Sequence, residues 1–348
     1  TMKALVVTEP NEFAIEELPK PVAGENEVVA RVRAVAICGT DAHLIAGHYP
    51  NFWPPSFPFT PGHEWAGDLV EVSPGAAALG WHVGDRVCGT SHDACGFCQK
   101  CVEGRYNLCE NYGNMDVHRQ YGHNYQGCYA EYVVHGIKAI FRLPREMDFA
   151  TGAVIDPASI ALHTANRGGV RPGDVAVVFG PGPVGLLVAD ACRLRGAAQV
   201  IVVGRGQRLE QAAAMGNETI DFEATHPVPE ILERTDGHGA DVILDCAGVA
   251  DTFQWSIPAL RKGGRIAAVG IPVQRVDLDF QEFVLYEKEL VGVRATAGEM
   301  RHVLPLVANG SIRAKDLITH RFSLDEFAEA LDTFNERRDG AMKVIVEP

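Results

Sequence analysis

Four cysteines, Cys95, Cys98, Cys101 and Cys109, stand at the spacing C-x2-C-x2-C-x7-C in a loop that also holds Gly96 and Gly104. Four thiolates folded around one small centre suit zinc, which accepts tetrahedral sulfur coordination and does no redox chemistry of its own. With no position left open, such a site is structural. Tightly spaced cysteines also hold iron–sulfur clusters, the main competing reading, and uncoordinated thiols in a loop are the plainer one. Upstream lie Cys38-Gly39-Thr40-Asp41-Ala42-His43 and Gly62-His63-Glu64-Trp65-Ala66-Gly67. A lone Cys or His is more often a packed core residue than a ligand. Together, the Cys38 thiolate, the His63 imidazole and the adjacent Glu64 carboxylate make an incomplete shell of the kind a catalytic zinc uses, with three protein ligands and an exchangeable fourth position.

A third pattern, Gly180-Pro181-Gly182-Pro183-Val184-Gly185, reads G-x-G-x-x-G. It follows an apolar run at 175–179 and opens a segment in which Val184, Leu187, Val188, Ala191 and Cys192 recur at three- and four-residue steps. Between a strand and a helix, such glycines form a pyrophosphate-binding turn with the helix N-terminus aimed at the phosphates. At the end of the next strand an NAD site would place an acid for the ribose hydroxyls. Here Gly204 stands at that position, with Arg205 beside it and Arg208 close by. Loss of the acid removes repulsion against a 2′-phosphate and a guanidinium could pair with one, which favours NADP over NAD. A merely solvated Arg205, on a protein that accepts either cofactor, is the alternative. Cys246-Ala247-Gly248 and Val269-Gly270-Ile271 end later strands on the same carboxyl edge and are expected to line the adenine and nicotinamide ends.

In their order along the chain, C-G-T-D-x-H, G-H-E-W-A-G, the four-cysteine lobe, the glycine fingerprint and G-G-R-I-A-A-V-G together resemble the zinc-dependent medium-chain dehydrogenase/reductase superfamily, nearest its sorbitol (polyol) and threonine dehydrogenase branch. The resemblance covers essentially the whole length. It implies Cys38 and His63 as catalytic zinc ligands, Glu64 as a close or exchanging ligand, and Thr40 with His43 as a proton relay. In that branch another ligand is a Glu in an E-P-x-x-x-A-x-H-A segment. The matching stretch here is Asp156-Pro157-Ala158-Ser159-Ile160-Ala161-Leu162-His163-Thr164, with an acid one methylene shorter. Asp156 is expected as a ligand or near-ligand, directly or through a water, and a helix N-cap before proline is the alternative. By the same resemblance, Lys343 is expected to reach the cofactor's pyrophosphate.

The elements that must position these groups fall into two textures. To about residue 150, segments 3–7, 27–36, 64–72, 86–89 and 129–135 are short β-prone runs between Gly, Pro and Asn clusters. After Pro172-Gly173, segments 175–179, 200–203, 242–245 and 266–270 are almost wholly apolar and alternate with helical spacing, the mark of a parallel sheet buried on both faces. A helix over 324–337 and a strand over 343–346 close the chain. The expected fold class is α/β. A GroES-like β-rich catalytic domain covers 1–155 with the cysteine lobe at 95–109, a Rossmann doubly wound parallel-sheet domain covers 156–294, and 295–348 returns to the first. The chemistry is expected in the cleft between the domains.

Composition removes other classes. The 348 residues carry 31 Lys and Arg against 45 Asp and Glu, a formal charge of −14 that repels nucleic-acid backbones and anionic membranes. No run is apolar and long enough to span a bilayer, and residues 1–7 read as a first strand rather than a leader. Nine cysteines on a long chain point to metal ligation in a reducing compartment, hence a cytoplasmic protein, rather than to a disulfide framework. The expectation is an NAD(P)-dependent zinc alcohol dehydrogenase with one catalytic and one structural zinc per chain, moving a hydride between the cofactor and a secondary alcohol or ketone of polyol, sugar or cyclitol type. A primary-alcohol or amino-alcohol (threonine-type) dehydrogenase is the rival among enzymes, and a catalytically silent binding protein on the same fold is the rival of another class. Substrate choice is expected to rest with side chains near Phe52, Trp53, Tyr112, His118 and Asn124. The resemblance further implies a homodimer or homotetramer, often joined through the strand at 290–294.

Overall fold

The computed structural model describes residues 1–49, 52–272 and 274–348, and the chain divides into two compact units. The first comprises Thr1–Asp156, Met300–Gly310 and Ala314–Pro348. It opens with the antiparallel hairpin β1 (Met2–Glu9) and β2 (Glu12–Leu18). Then follow β3 (Glu27–Ala36), β4 (Glu64–Val72), β5 (Arg86–Gly89), the short pair β6 (His92–Asp93) and β7 (Arg119–Gln120), β8 (Tyr132–Gly136) and β9 (Ile140–Arg142). Three of these, β3, β4 and β5, have the bounds expected from sequence. The segment expected at 129–135 begins later, because residues 129–131 are taken by β1: Leu5 donates to the Tyr129 carbonyl and Glu131 to that of Lys3.

The second unit comprises Pro157–Glu299 and Ser311–Arg313. Its parallel strands are β10 (Val175–Phe179), β11 (Gln199–Gly204), β12 (Glu218–Asp221), β13 (Ala240–Asp245), β14 (Leu260–Ala268) and β15 (Glu289–Gly292), in the sheet order β12-β11-β10-β13-β14-β15. Helices cover this sheet, so its strands carry apolar side chains on both faces: Val177, Phe179, Ile201, Ile243 and Ile266 form one core. The helix Pro183–Leu194 buries Leu187, Val188, Ala191 and Cys192 as expected, with Val184 half-buried at its start. β14 ends at Ala268 rather than 270, because the Val269 and Gly270 amides both turn onto the Asp245 carbonyl.

The returning chain adds β16 (Ile318–Ser323) and β17 (Lys343–Glu347) to the first unit, completing a seven-stranded sheet in which β16-β17-β3-β4-β5-β9 are neighbours and β8 also pairs with β3. Register shifts between Val29 and Ala30 and between Val32 and Ala34 bend β3. The sheet encloses Leu5, Val35, Trp65, Leu69, Tyr129 and Phe327. The expected helix at 324–337 splits into a one-turn segment, Leu324–Glu326, capped by Ser323, and the helix Phe327–Glu336. Two details set the unit boundaries apart from 156–294. Glu299 ties the segment before it to the helix Ile155–Gly168, and Arg313 grips the buried Asp190 carboxylate. Among the described residues no helix is long and apolar enough to cross a membrane.

Candidate active site

Strand pairing assembles the first cluster. Ala36 of β3 lies opposite Glu64 of β4, so the chain leaving β3 through Ile37-Cys38 runs beside His63-Glu64 entering β4. One donor atom from each of Cys38, His63 and Glu64 lies within 4.8 Å of the others. Cys38 immediately precedes the helix Gly39–Ile45, and Asp41 in its first turn fastens it. Asp41 Oδ2 accepts from the Cys38 N–H at 3.0 Å and from the Tyr129 hydroxyl at 2.8 Å, while Oδ1 faces His63 Nδ1 at 3.2 Å. A carboxylate on Nδ1 orients an imidazole and leaves Nε2 for an ion. The sequence motif contains Asp41 but assigns it no role; its only signal is the three-residue step from Cys38, the spacing of a capping box.

Charge decides what this cluster can hold. Asp41, Glu64 and Asp156 are each at most 3% exposed, and among the described residues Lys343 is the buried lysine that meets them. Its Nζ donates to Glu64 Oε2 and to the Ile37 carbonyl. Burial pushes Glu64 up, and it pushes Asp156 up to about 6. Burial works against a charged His63, yet Asp41 and Cys38 outweigh it and raise its pKa. Sulfur, nitrogen and oxygen donors converging in a dry, electron-rich place suit zinc, which would supply the missing positive charge. Asp156 stands just outside the trio. It is the second residue of its helix, inside rather than capping it, with His63 and Thr90 near its carboxylate.

Thr40 and His43 lie nearly one turn apart on the helix Gly39–Ile45, a spacing that puts them on one face. His43 Nδ1 meets His48 Nδ1 at 2.8 Å, and His48 is exposed. Burial, then His48, holds the His43 pKa below its ordinary value. One Nδ1 carries the hydrogen and the other accepts it, so the pair can carry a proton to water. No motif marks His48.

The four lobe cysteines also converge. Cys95 and Cys101 Sγ are 3.8 Å apart, and Cys98 and Cys109 Sγ are 3.9 Å apart. A zinc–sulfur tetrahedron with bonds of about 2.3 Å has edges of about 3.8 Å. The Asn111 side-chain amide and the Cys98 N–H donate to Cys95 Sγ at 3.3 and 3.4 Å. Burial opposes the Cys95 thiolate, but these donors prevail and bring its pKa down to about 6.

In the second unit Gly180 turns off β10 with φ +99°, Gly182 precedes the helix Pro183–Leu194, and no side chain caps that helix. The Val184 and Gly185 amides at its N-terminus are thus placed to meet phosphate oxygens. Glycine is required at 185, where a Cβ would sit 1.9 Å from the Gly180 carbonyl oxygen. Asp245, which no motif singles out, shapes the neighbouring turn: its Oδ1 accepts from the Ala247 and Gly248 amides at 3.1 and 2.7 Å. Cys246, Ala247, Val269 and Gly270 follow at the same carboxyl edge.

Residues 24–145 match the alcohol dehydrogenase GroES-like domain, and residues 183–309 match the zinc-binding dehydrogenase family. A sorbitol dehydrogenase of Halalkalibacterium halodurans is 34% identical over 356 residues, covering 100% of this chain and 99% of the relative. The chain belongs to the zinc-dependent alcohol dehydrogenase family. An L-threonine 3-dehydrogenase of Pectobacterium atrosepticum is 32% identical over 99% of this chain and 94% of its own length. A Sinorhizobium meliloti protein described as a zinc-binding dehydrogenase, solved with NADP bound, superimposes with a TM-score of 0.90 at 30% identity, over 100% of this chain and 99% of that one.

In this NAD(P)-dependent zinc dehydrogenase two sequence expectations change. Lys343 opens β17, which pairs with the end of β3, and its Nζ is engaged by Glu64 and Ile37. It is the counter-charge of Glu64 rather than a free hand for a pyrophosphate. Gly204 is a packing requirement, since a Cβ there would lie 2.3 Å from the Pro181 ring. Arg205 is exposed and pairs with Glu223 at 2.6 Å, whereas the Arg208 guanidinium reaches the turn at Gly182. The expected specificity residues divide likewise. Phe52 packs on Trp53, Trp53 Nε1 donates to the Tyr112 hydroxyl at 2.5 Å, and Trp53 meets His123, whose ring centroid is 4.5 Å from that of His63. His118 is wholly buried behind Tyr112, and the Asn124 side-chain Oδ1 accepts from the Gln120 backbone N–H. Among these, His123 escaped the sequence motifs.

Proposed function

We propose that the enzyme interconverts a secondary alcohol of the polyol, sugar or cyclitol class with its ketone, and that it favours NADP over NAD. The observation that carries this reading is the convergence of Cys38, His63 and Glu64 at the start of the short helix bearing Thr40 and His43. Cys38, His63 and Glu64 would hold the catalytic zinc with Asp156 as a near-ligand, and Cys95, Cys98, Cys101 and Cys109 a structural one. When bound, zinc supplies a Lewis acid for the substrate oxygen and the nicotinamide supplies the hydride acceptor. Asp41 keeps the His63 ring in place, and Lys343 balances Glu64. Thr40 Oγ1 takes the proton that the substrate hydroxyl gives up and passes it to His43, and the His43–His48 pair delivers it to water. The Val184 and Gly185 amides hold the pyrophosphate. Ala247, Val269 and Gly270 line the cofactor's path along the sheet edge, with Cys246 behind them.

The sorbitol dehydrogenases among the relatives support the polyol class. Arg208 at the glycine turn, the absence of an acid at 204 and the NADP-bound relative support NADP. The open edge of β15 and the exposed Val284 and Leu285 support a homodimer or higher assembly through that edge. The nine free cysteines agree with a cytoplasmic protein.

Metal analysis should find about two zinc ions per chain. Cys38→Ser should lose one of them together with turnover while the protein stays folded; a variant that keeps both zincs and full turnover overturns the assignment. In a panel of polyols, sugars, cyclitols and amino alcohols, the highest kcat/KM is expected on a polyol-type substrate, and a preference for L-threonine would identify the rival.

A further inference from the structure

Glu299 is buried in the second unit, and no step above uses it. Its Oε1 accepts from His163 Nδ1 at 2.8 Å and Asn166 Nδ2 at 3.3 Å, and its Oε2 from Thr296 Oγ1 at 3.1 Å and the Ala297 N–H at 2.7 Å. Two of these donors sit on the helix Ile155–Gly168, and two on the irregular segment 293–298 that leaves β15. Burial works against the charge, yet the hydrogen bonds, led by that from His163, bring the Glu299 pKa down to about 2.

The strap it fastens has little to hold its own shape. It contains no regular structure, and Ala295 lies in the left-handed region with φ +48°, where a side chain is disfavoured. The Val293 amide donates to the Ala268 carbonyl at 2.9 Å, so the strap leaves the sheet beside Val269-Gly270 at the carboxyl edge. The strand order puts that exit in the half formed by β13, β14 and β15, across the β10 glycine turn from β11 and β12. In a doubly wound dinucleotide fold the half beyond β10 takes the adenosine, so the β13–β15 half takes the nicotinamide nucleotide.

We propose that Glu299 is a positioning residue: by clamping residues 296–297 to His163 and Asn166, it holds the 293–298 strap in the shape that accepts the nicotinamide half of the cofactor. The inference rests on the dinucleotide reading of the second unit, and the test separates the two. Binding to the full-length protein is measured for NADPH by its fluorescence, and for ADP-ribose 2′-phosphate, which lacks the nicotinamide, by calorimetry. An unaltered protein that binds neither of these, nor NADH and ADP-ribose in their place, overturns the dinucleotide reading and the clamp with it. Glu299→Ala is expected to weaken NADPH about tenfold while leaving ADP-ribose 2′-phosphate within about twofold. It should also speed hydrogen exchange at the Ala297 amide. Equal weakening of the two ligands, or no weakening of NADPH, overturns the proposal. Should Glu299→Ala fail to fold, Glu299→Gln, which keeps the shape, and Thr296→Val, which removes one donor, carry the same test with a smaller NADPH-specific loss.

Discussion

His43 and His48 show how one side chain's chemistry depends on a neighbour that no motif marks. His43 must be neutral to accept a proton, and burial together with the adjacent imidazole lowers its pKa. Alcohol oxidation should therefore rise with pH through an inflection below the ordinary histidine value, and stay flat above it. Tyr49 is the other ring against His43, and it ionises only far above this range. Replacing His48 by Gln removes the second positive charge that His43 would face. The acid inflection in the kcat profile should then move up toward the ordinary value; an unmoved inflection would place the titration elsewhere. Asp41 makes a related point. Its carboxylate joins Cys38, His63 and Tyr129, three residues whose proximity depends on where β4 starts.

At the scale of elements, the glycine turn and the end of β11 form one packed unit. With a Cβ at 204 falling 2.3 Å from the Pro181 ring, Gly204→Asp should not convert the enzyme to NAD. It should instead weaken both cofactors and lower thermal stability by roughly 1–3 kcal/mol, the usual cost of overpacking. Pairing it with Pro181→Ala removes the ring, and the double variant is expected to gain NAD affinity at the expense of NADP, read by titration of each reduced cofactor. A single variant that already prefers NAD would show that the turn yields. The strands with buried or wholly apolar runs, β3, β4, β5 and β10, are legible from the sequence to their ends. β2 and β16 are not, because alternating exposed polar residues leave little apolar signal. The end of β14 is hidden too, since it is set by two amides turning onto Asp245.

At the scale of the whole molecule, β15 ends the six-stranded sheet with no further strand paired to it among the described residues. Shortly before it in the chain, the helix Phe280–Tyr286 exposes Phe280, Val284 and Leu285, each at least 70% accessible. A long-lived monomer seldom leaves an edge and an apolar helix face uncovered together, and a two-fold pairing of such an edge is self-complementary. Sedimentation should therefore find a dimer or larger assembly, and Leu290→Lys combined with Val284→Glu should shift it toward monomer. A wild-type monomer at micromolar concentration would remove this interface.

The sequence alone determined the donor sets and the glycine turn, because ligand type and close spacing are local properties: four cysteines within fifteen residues, and G-x-G-x-x-G between an apolar run and a helical one. It also determined the α/β class, through the change from short β-prone runs to apolar strands alternating with helices. Tertiary structure alone decided the partners of those groups. Lys343 meets Glu64 because β17 pairs with β3, His63 meets Asp41 because β3 pairs with β4, and Glu299 meets His163 because a strap folds back on a distant helix. Each contact joins residues far apart along the chain or in separate motifs, and strand register and helix packing, which depend on the whole core, decide which atoms face each other.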